Sequence, residues 1–251
     1  MPADPAVRDD WQVPVRRPRL YPVLAAIGRP LIRGLVTLLG GLRVEGCEHI
    51  PREGPVLVVA NHQSYADPPL LAATFPRPLW FMANQAVFDI PFVGWISRHA
   101  LAFPVVKEVA VDRAALRKAE AVLRSGEALC IFPEGGTTPD ARLARFYSGA
   151  ALVALRTGAP ILPAGLIHTA RLMPNLTWVP RYTPGGVTVR YGPVLSLADM
   201  PAGLGRREQA DWVSARMWEG IAALLPPEHL PERPLMSTRD FVGTESPPPG
   251  A

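Results

Sequence analysis

Short apolar runs alternate with longer amphipathic segments through most of the chain. Four of these runs are continuous and rich in β-branched or aromatic residues, which is typical of strands buried on both faces of a sheet. They are 56–60, 79–83, 128–132 and 161–167. Three weaker segments predict further strands: 42–46, 101–106 and 187–191. Because the strands alternate with helical segments, the pattern predicts an α/β fold with a largely buried, mixed sheet flanked by helices.

Three segments between or after these strands have the period of amphipathic helices. Residues 113–125 combine strong helix formers with one apolar face, and Gly126 follows where a glycine commonly ends a helix. Residues 146–157 and 211–225 are predicted to be helices as well. The aromatic, turn-rich segment 88–95 is predicted either to line a pocket or to cover the sheet.

The most apolar long segment, 20–42, carries Arg29 and Arg33 near its centre, which argues against a membrane-spanning helix. Its apolar residues recur at spacings of three and four: Leu24, Ile27, Leu31, Leu35, Leu38 and Leu42. With three arginines just upstream, this pattern favours an interfacial helix pair broken at Pro30, with both central arginines facing an anionic membrane surface. The alternative is an amphipathic helix that packs on the core.

Length and composition indicate one domain. A chain of 251 residues with 48% hydrophobic residues is long enough to bury one sizeable core. Part of its excess of proline lies at the two ends, which predicts disordered tails. The predicted divisions are a basic tail, an amphipathic membrane-associated segment, an α/β domain and a Pro-rich tail: 1–19, 20–42, 43–225 and 226–251.

Charge and cysteine content narrow the classes of partner. A formal net charge of +4 fits an anionic partner such as a membrane surface or nucleic acid; of the two, the membrane surface is expected and nucleic acid is not. Cys47 and Cys130 are too few for a zinc site or a disulfide framework, so both are expected to be reduced, and no metal is expected. The first residues do not show the basic region followed by an apolar region that is typical of a secretory signal, which favours the cytoplasmic face of the membrane.

The first candidate for chemistry follows the strand at 56–60. Asn61 and His62 come directly after it, and Asp67 precedes Pro68 in the sequence context of a helix N-cap. A histidine within reach of a carboxylate is suited to act as a general base, since the carboxylate stabilises the imidazolium that forms. The alternative is that Asp67 only caps a helix and His62 only satisfies loop backbone.

A second candidate follows the strand at 128–132, where Phe132-Pro133-Glu134-Gly135 ends the apolar run. There is no G-x-S-x-G nucleophile elbow, no P-loop and no G-x-G-x-x-G after a strand. The sequence therefore argues against the common hydrolase, NTPase and dinucleotide-binding classes.

Together, N-H-x-x-x-x-D and F-P-E-G, followed by F-x-x-G at Phe146 and Gly149, resemble the signature blocks of the PlsC-type glycerolipid acyltransferase family. The similarity covers about 42–166. It implies a PlsC-like fold that transfers an acyl group from acyl-CoA or acyl carrier protein to the hydroxyl of a lysophospholipid, most directly 1-acyl-sn-glycerol-3-phosphate. No cofactor besides this co-substrate is implied.

The resemblance also implies a role for each signature residue. His62 would remove the proton of the acceptor hydroxyl, and Asp67 would orient His62. Asn61, Glu134 and Gly135 would bind substrate beside an apolar groove for the acyl chain, at the membrane surface.

One departure from the family pattern concerns the acceptor. Where family members often continue E-G-T-R, with an arginine for the acceptor's phosphate, this chain has Gly136-Thr137-Thr138. Four cations are candidates for the missing charge: Lys107, Arg113, Arg142 and Arg145. The alternatives are another acceptor, such as a different lysolipid or an amino-acid lipid, or a catalytically weak lipid-binding protein.

Overall fold

The computed structural model describes residues 15–106, 112–174 and 177–232. The outer parts of both predicted tails, 1–14 and 233–251, lie outside the described residues, and so does the candidate Lys107.

Seven strands form a single sheet in the order β1-β7-β6-β2-β5-β3-β4. They are β1 (Leu42–Glu45), β2 (Val56–Ala60), β3 (Leu79–Asn84), β4 (Ala102–Val105), β5 (Ala128–Ile131), β6 (Ile161–Ile167) and β7 (Val187–Tyr191). Every neighbouring pair is parallel except β6 and β7. The predicted mixed α/β sheet is confirmed, and all seven predicted strands are present within one or two residues of their expected ends.

Helices cover both faces of the sheet. They are α1 (Tyr21–Leu38), α2 (Asp67–Thr74), α3 (Gln85–Asp89), α4 (Pro91–His99), α5 (Arg113–Arg124), α6 (Gly149–Thr157), α7 (Thr169–Leu172) and α8 (Arg206–Ala222). One core packs α5, α6 and α8 on the sheet, and the other packs α1 and α2. Strand β2 serves both cores, because its alternate residues Leu57 and Val59 face one and Val56, Val58 and Ala60 face the other.

Two helical predictions needed adjustment, and two helices were not predicted. The turn-rich segment 88–95 forms parts of α3 and α4. Helix α6 begins at Gly149 rather than at residue 146, and α8 begins at Arg206, five residues before the expected start. Gly126, which was predicted to end α5, has a positive φ angle of 85°, and Gly158 directly after α6 has one of 66°, as is common for the glycine that ends a helix.

Helix α1 corrects the prediction for the N-terminal segment. It is a single helix that continues through Pro30, and it packs on α2 with Val36 buried. Arg29 does not face outward, because its Nη2 donates to the carbonyl of Arg77 at 2.9 Å. The apolar stripe is nevertheless exposed, to 62% at Ile27 and 83% at Leu38.

No helix within the described ranges combines the length and hydropathy needed to cross a bilayer.

The predicted Pro-rich tail starts too early at residue 226. Residues Pro227–His229 form a 3-10 turn that belongs to the domain, and the imidazole of His229 is buried. At the other end, Arg17 forms an ion pair with Glu127 at 2.7 Å. The packed unit therefore extends beyond the predicted limits of 43–225.

Candidate functional site

Two adjacent parallel strands bring the two signature stretches together. Strands β2 and β5 pair in register, with Val59 opposite Ile131. Both strands therefore end at the same edge of the sheet, and the loops that follow them carry His62 and Glu134. Because the carboxyl ends of parallel strands share an edge, two stretches about 70 residues apart form one site.

The His62–Asp67 pair has the geometry that the sequence predicts. His62 Nδ1 lies 2.8 Å from Asp67 Oδ2. The same oxygen accepts the backbone N–H groups of Gln63 at 2.7 Å and Ser64 at 2.8 Å. Asp67 is the first residue of α2 and makes no cap bond to the helix backbone, which corrects the N-cap prediction. Its fully buried side chain instead holds the loop that carries His62.

The contacts of His62 fix which nitrogen is available for chemistry. A carboxylate can only accept, so His62 Nδ1 donates to Asp67 and Nε2 is left as the basic nitrogen. The ring stacks on Phe132, with the two centroids 4.1 Å apart. His62 also lines the large groove described below. Its basic nitrogen thus belongs to a rigidly held ring beside a space for substrate.

Glu134 supports His62 rather than offering a free carboxylate to substrate. Its Oε1 accepts the backbone N–H of His62 at 2.8 Å, and its Oε2 accepts that of Ala144 at 3.1 Å. Burial raises the pKa of the Glu134 carboxyl to about 8. Both oxygens accept from backbone groups and Glu134 is absent from the lining of the groove described below, so it has a structural role in place of the substrate-binding one that the resemblance implied.

Asn61 also has a structural task in place of the expected one. Its amide pairs with the backbone of Leu166, donating to the carbonyl at 2.9 Å and accepting the N–H at 2.7 Å. These two hydrogen bonds tie the end of β2 to β6. Both polar atoms of the buried side chain bond to Leu166, and Asn61 is absent from the lining of the groove described below, so its role in this structure is to position the loop.

Gly135 lies at a turn that only glycine fits well. Its φ angle is +74°, and a Cβ there would lie 2.8 Å from the ring of Tyr147. Both Gly135 and Tyr147 line the groove. The aromatic ring of Tyr147 thus closes this side of the turn.

The groove beside His62 has a volume of about 1790 Å³. Its wall away from His62 is apolar and comes largely from β3, α3 and α4: Phe81, Met82, Val87, Ile90, Phe92, Val93 and Ile96. The sequence resemblance implied an apolar groove here. The aromatic segment 88–95, for which two roles were left open, lines it.

The three candidate cations that lie within the described residues are not brought to this groove. Arg113, Arg142 and Arg145 are all absent from its lining. Arg142 faces the C-terminal residues instead, where it donates to the carbonyl of Leu230 at 2.8 Å and pairs with Glu232 at 3.1 Å.

Two cations that line the groove were not among the candidates from the sequence. Arg206 and Arg207, in the first turn of α8, both line it, and neither forms an ion pair with another described residue. They could not be predicted from the sequence, because the helix was expected to start at residue 211 and they lie about 70 residues beyond the F-P-E-G stretch. Nothing local marked them as neighbours of His62.

In the part of the chain that the structure describes, no three His, Cys, Asp or Glu side chains come together as a metal site.

Comparisons with known proteins agree with this geometry. The family described as "Acyltransferase" matches residues 41–167. The crystal structure of the 1-acyl-sn-glycerophosphate (LPA) acyltransferase PlsC from Thermotoga maritima superposes with a TM-score of 0.64 at 29% identity, covering 84% of each chain. A 1-acyl-sn-glycerol-3-phosphate acyltransferase from Pseudomonas aeruginosa is 30% identical over 74% of this chain and 73% of its own.

A chloroplast protein of the same name from Arabidopsis thaliana is 31% identical over 53% of this chain. The match spans only 38% of the plant protein.

Proposed function

This chain belongs to the acyltransferase family, and on that premise we propose that it transfers a fatty acyl group from a thioester to the free hydroxyl of a lysophospholipid. The acceptor we favour is 1-acyl-sn-glycerol-3-phosphate, which would give phosphatidic acid, because relatives that match most of the domain are named for that reaction. The observation that carries the proposal is the His62–Asp67 pair, 2.8 Å apart, on the wall of an apolar groove.

In this mechanism His62 acts as general base and then as general acid. Nε2 takes the proton of the acceptor hydroxyl, and the buried carboxylate of Asp67 stabilises the imidazolium. The acceptor oxygen attacks the thioester carbonyl and forms the new C–O bond. When the tetrahedral intermediate collapses, the C–S bond breaks and the thiol leaves with the proton from Nε2. No acyl-enzyme is formed, and no cofactor is needed besides the acyl-CoA or acyl carrier protein that supplies the acyl group.

Arg206 and Arg207 are the groove's candidates for the acceptor's phosphate. They line the same groove as His62, and their guanidinium groups suit a phosphate monoester. The turn at 136–138, where the family often has arginine, supplies no cation. This part of the proposal predicts that the charge has moved to α8, beyond the segment that matches the family.

The first experiment measures transfer from one labelled acyl thioester to acceptors with and without a phosphate, with coenzyme A and carrier-protein donors in parallel. His62→Ala serves as the inactive control and should abolish turnover while the protein stays folded. Retained turnover in His62→Ala would refute the mechanism. Transfer only to phosphate-free acceptors would favour the second candidate, an O-acyltransferase for another lysolipid or an amino-acid lipid.

The role of α8 has a matched control in the same chain. Arg206→Gln with Arg207→Gln should raise KM for the lysophosphatidate and leave KM for a phosphate-free acceptor unchanged. Arg145→Gln removes an exposed charge outside the groove and should change neither. Equal effects of the two sets of substitutions would remove Arg206 and Arg207 from phosphate recognition.

We also propose that the protein works at the cytoplasmic face of a membrane, held there by the exposed side of α1. The support is the apolar stripe, whose members Ile27, Leu31 and Leu38 are 62%, 65% and 83% exposed. Replacing these three by Gln should weaken sedimentation with anionic vesicles. Unchanged sedimentation would show that α1 does not hold the protein at the bilayer.

A further inference from the structure

The residues 138–144, here called the support loop, lie between the His62 loop and the C-terminal residues. On the side of His62, the backbone N–H of Thr138 donates to the carbonyl of His62 at 2.9 Å. Further along, the N–H of Ala144 donates to Glu134, whose other oxygen holds the N–H of His62. Both backbone polar groups of His62 therefore depend on the position of the support loop.

The carbonyl of Ala141, in the middle of the support loop, joins two distant parts of the chain. It accepts from Gln63 Nε2 at 2.9 Å and from His229 Nδ1 at 3.0 Å. Gln63 is buried and directly follows His62. One carbonyl thus connects the neighbour of the proposed base with a residue near the end of the described chain.

His229 is itself held in one orientation and one tautomer. Its carbonyl accepts the N–H of Leu143 at 2.8 Å, and Arg142 donates to the next carbonyl, at Leu230. A carbonyl can only accept, so Nδ1 of His229 must be the donor to Ala141. Nε2 faces the N–H of His168 at 3.3 Å and is left as the acceptor. The ring is therefore neutral. Burial also lowers the pKa of His229, which favours the neutral form.

We propose that His229 is a positioning residue for His62. Its Nδ1–H group holds the Ala141 carbonyl, and the support loop transmits that position to both backbone groups of His62. The inference rests on the proposed function, in which His62 is the base. It extends the site to a residue outside 41–167, the segment that matches the family.

Two near-isosteric substitutions separate this role from simple packing. In His229→Asn the amide N–H occupies the place of Nδ1 and keeps the bond to Ala141, whereas in His229→Gln the amide lies near the place of Nε2 and loses it. The Asn variant should stay close to the wild-type kcat. The Gln variant should lose roughly 10- to 100-fold in kcat at unchanged KM for the thioester, because small displacements of a reacting group are costly.

A second histidine provides the matched control. His49 is half-buried, and its Nδ1 likewise bonds to a backbone carbonyl, that of Tyr191 at 2.9 Å, but His49 does not line the groove. The same pair of substitutions at His49 should leave kcat unchanged. Equal kcat in the Asn and Gln variants of His229 would overturn the inference.

Hydrogen exchange gives a readout that does not depend on activity. The amides of Thr138 and Ala144 should exchange faster in His229→Gln than in His229→Asn. Both N–H groups belong to the support loop, so their hydrogen bonds weaken when the loop is no longer held at Ala141. If His229→Gln does not fold, Arg142→Gln loosens the same contact from a more exposed position and should show the same faster exchange. Unchanged exchange in the folded variant overturns the inference. If the wild type transfers no acyl group at all, the proposed function fails, and this exchange still decides whether His229 positions the loop.

Discussion

Replacing Asp67 by Asn should lower kcat by about 100- to 1000-fold without changing the tautomer of His62. Three donors converge on Oδ2: His62 Nδ1 and the backbone N–H groups of Gln63 and Ser64. An amide nitrogen cannot replace an oxygen that faces three donors. The amide oxygen must therefore take that position, and the Nδ1–H tautomer of His62 is retained.

The size of the effect follows from the lost charge alone. Two unit charges about 4 Å apart attract by about 4 kcal/mol at an effective dielectric constant of 20. Removing that stabilisation from the imidazolium corresponds to about three orders of magnitude in rate at most. The new amide nitrogen takes the place of Oδ1, a buried atom without a hydrogen-bond partner. Its unmet N–H groups should destabilise the fold by about 1–3 kcal/mol.

The assay combines single-turnover acyl transfer with ¹⁵N NMR of the His62 ring in the wild type and in Asp67→Asn. We expect the slower rate together with an unchanged Nδ1–H signal. A rate as low as that of His62→Ala together with an Nε2–H ring would refute the reasoning, because it would mean that the amide had turned and reversed the tautomer. A loss of less than tenfold would refute it from the other side, by showing that the charge contributes little.

Three further predictions concern residues around the pair. Asn61→Ala leaves both backbone groups of Leu166 buried without partners and should lower the free energy of unfolding by about 2–5 kcal/mol, measured by urea denaturation; a raised KM at unchanged stability would instead mean that Asn61 binds substrate. Gly135→Ala places a Cβ against the Tyr147 ring and should destabilise the fold and reduce activity, and adding Tyr147→Ala should restore part of the stability; no recovery would show that the positive φ angle alone is responsible. Glu134, with a folded pKa raised to about 8 by burial, holds its proton more tightly when folded, so its contribution to stability should be complete below about pH 4.5 and disappear as the pH rises to about 8. Comparing denaturation of the wild type and Glu134→Gln across that range tests the sign, which is wrong if the difference between them does not change with pH.

The strands of the sheet could be predicted from the sequence because central strands are buried on both faces. Val56–Ala60 and Ile161–Ile167 are uninterrupted apolar runs, and each is fully buried. The helices at 88–95 were not predicted, because they are short and because Pro91 and Gly94 are typical of turns. Gly94 is required by packing, since a Cβ there would clash with the backbone carbonyl of Phe88. That close approach cannot be inferred from the local sequence.

Within the site, the pairing of His62 with Asp67 could be predicted because both residues lie on one short loop. The tasks of Asn61 and Glu134 could not, because their partners are backbone groups of residues far away in the chain. Such partners carry no side-chain signature. The same reason hid His229, whose bonds to Ala141 and Leu143 are visible only once the fold is known.

The central place of β2 has a consequence for the order in which the protein is made. Both neighbours of this strand, β5 and β6, follow it much later in the chain, so β2 leaves the ribosome with neither edge paired. The contacts of His229 with the support loop form later still. Because the N-terminal part of a chain emerges first, nascent chains that stop short of residue 229 would carry His62 and Asp67 without the support that orders them. Under the proposed function, a nascent chain would therefore become active only after residue 229 has left the ribosome.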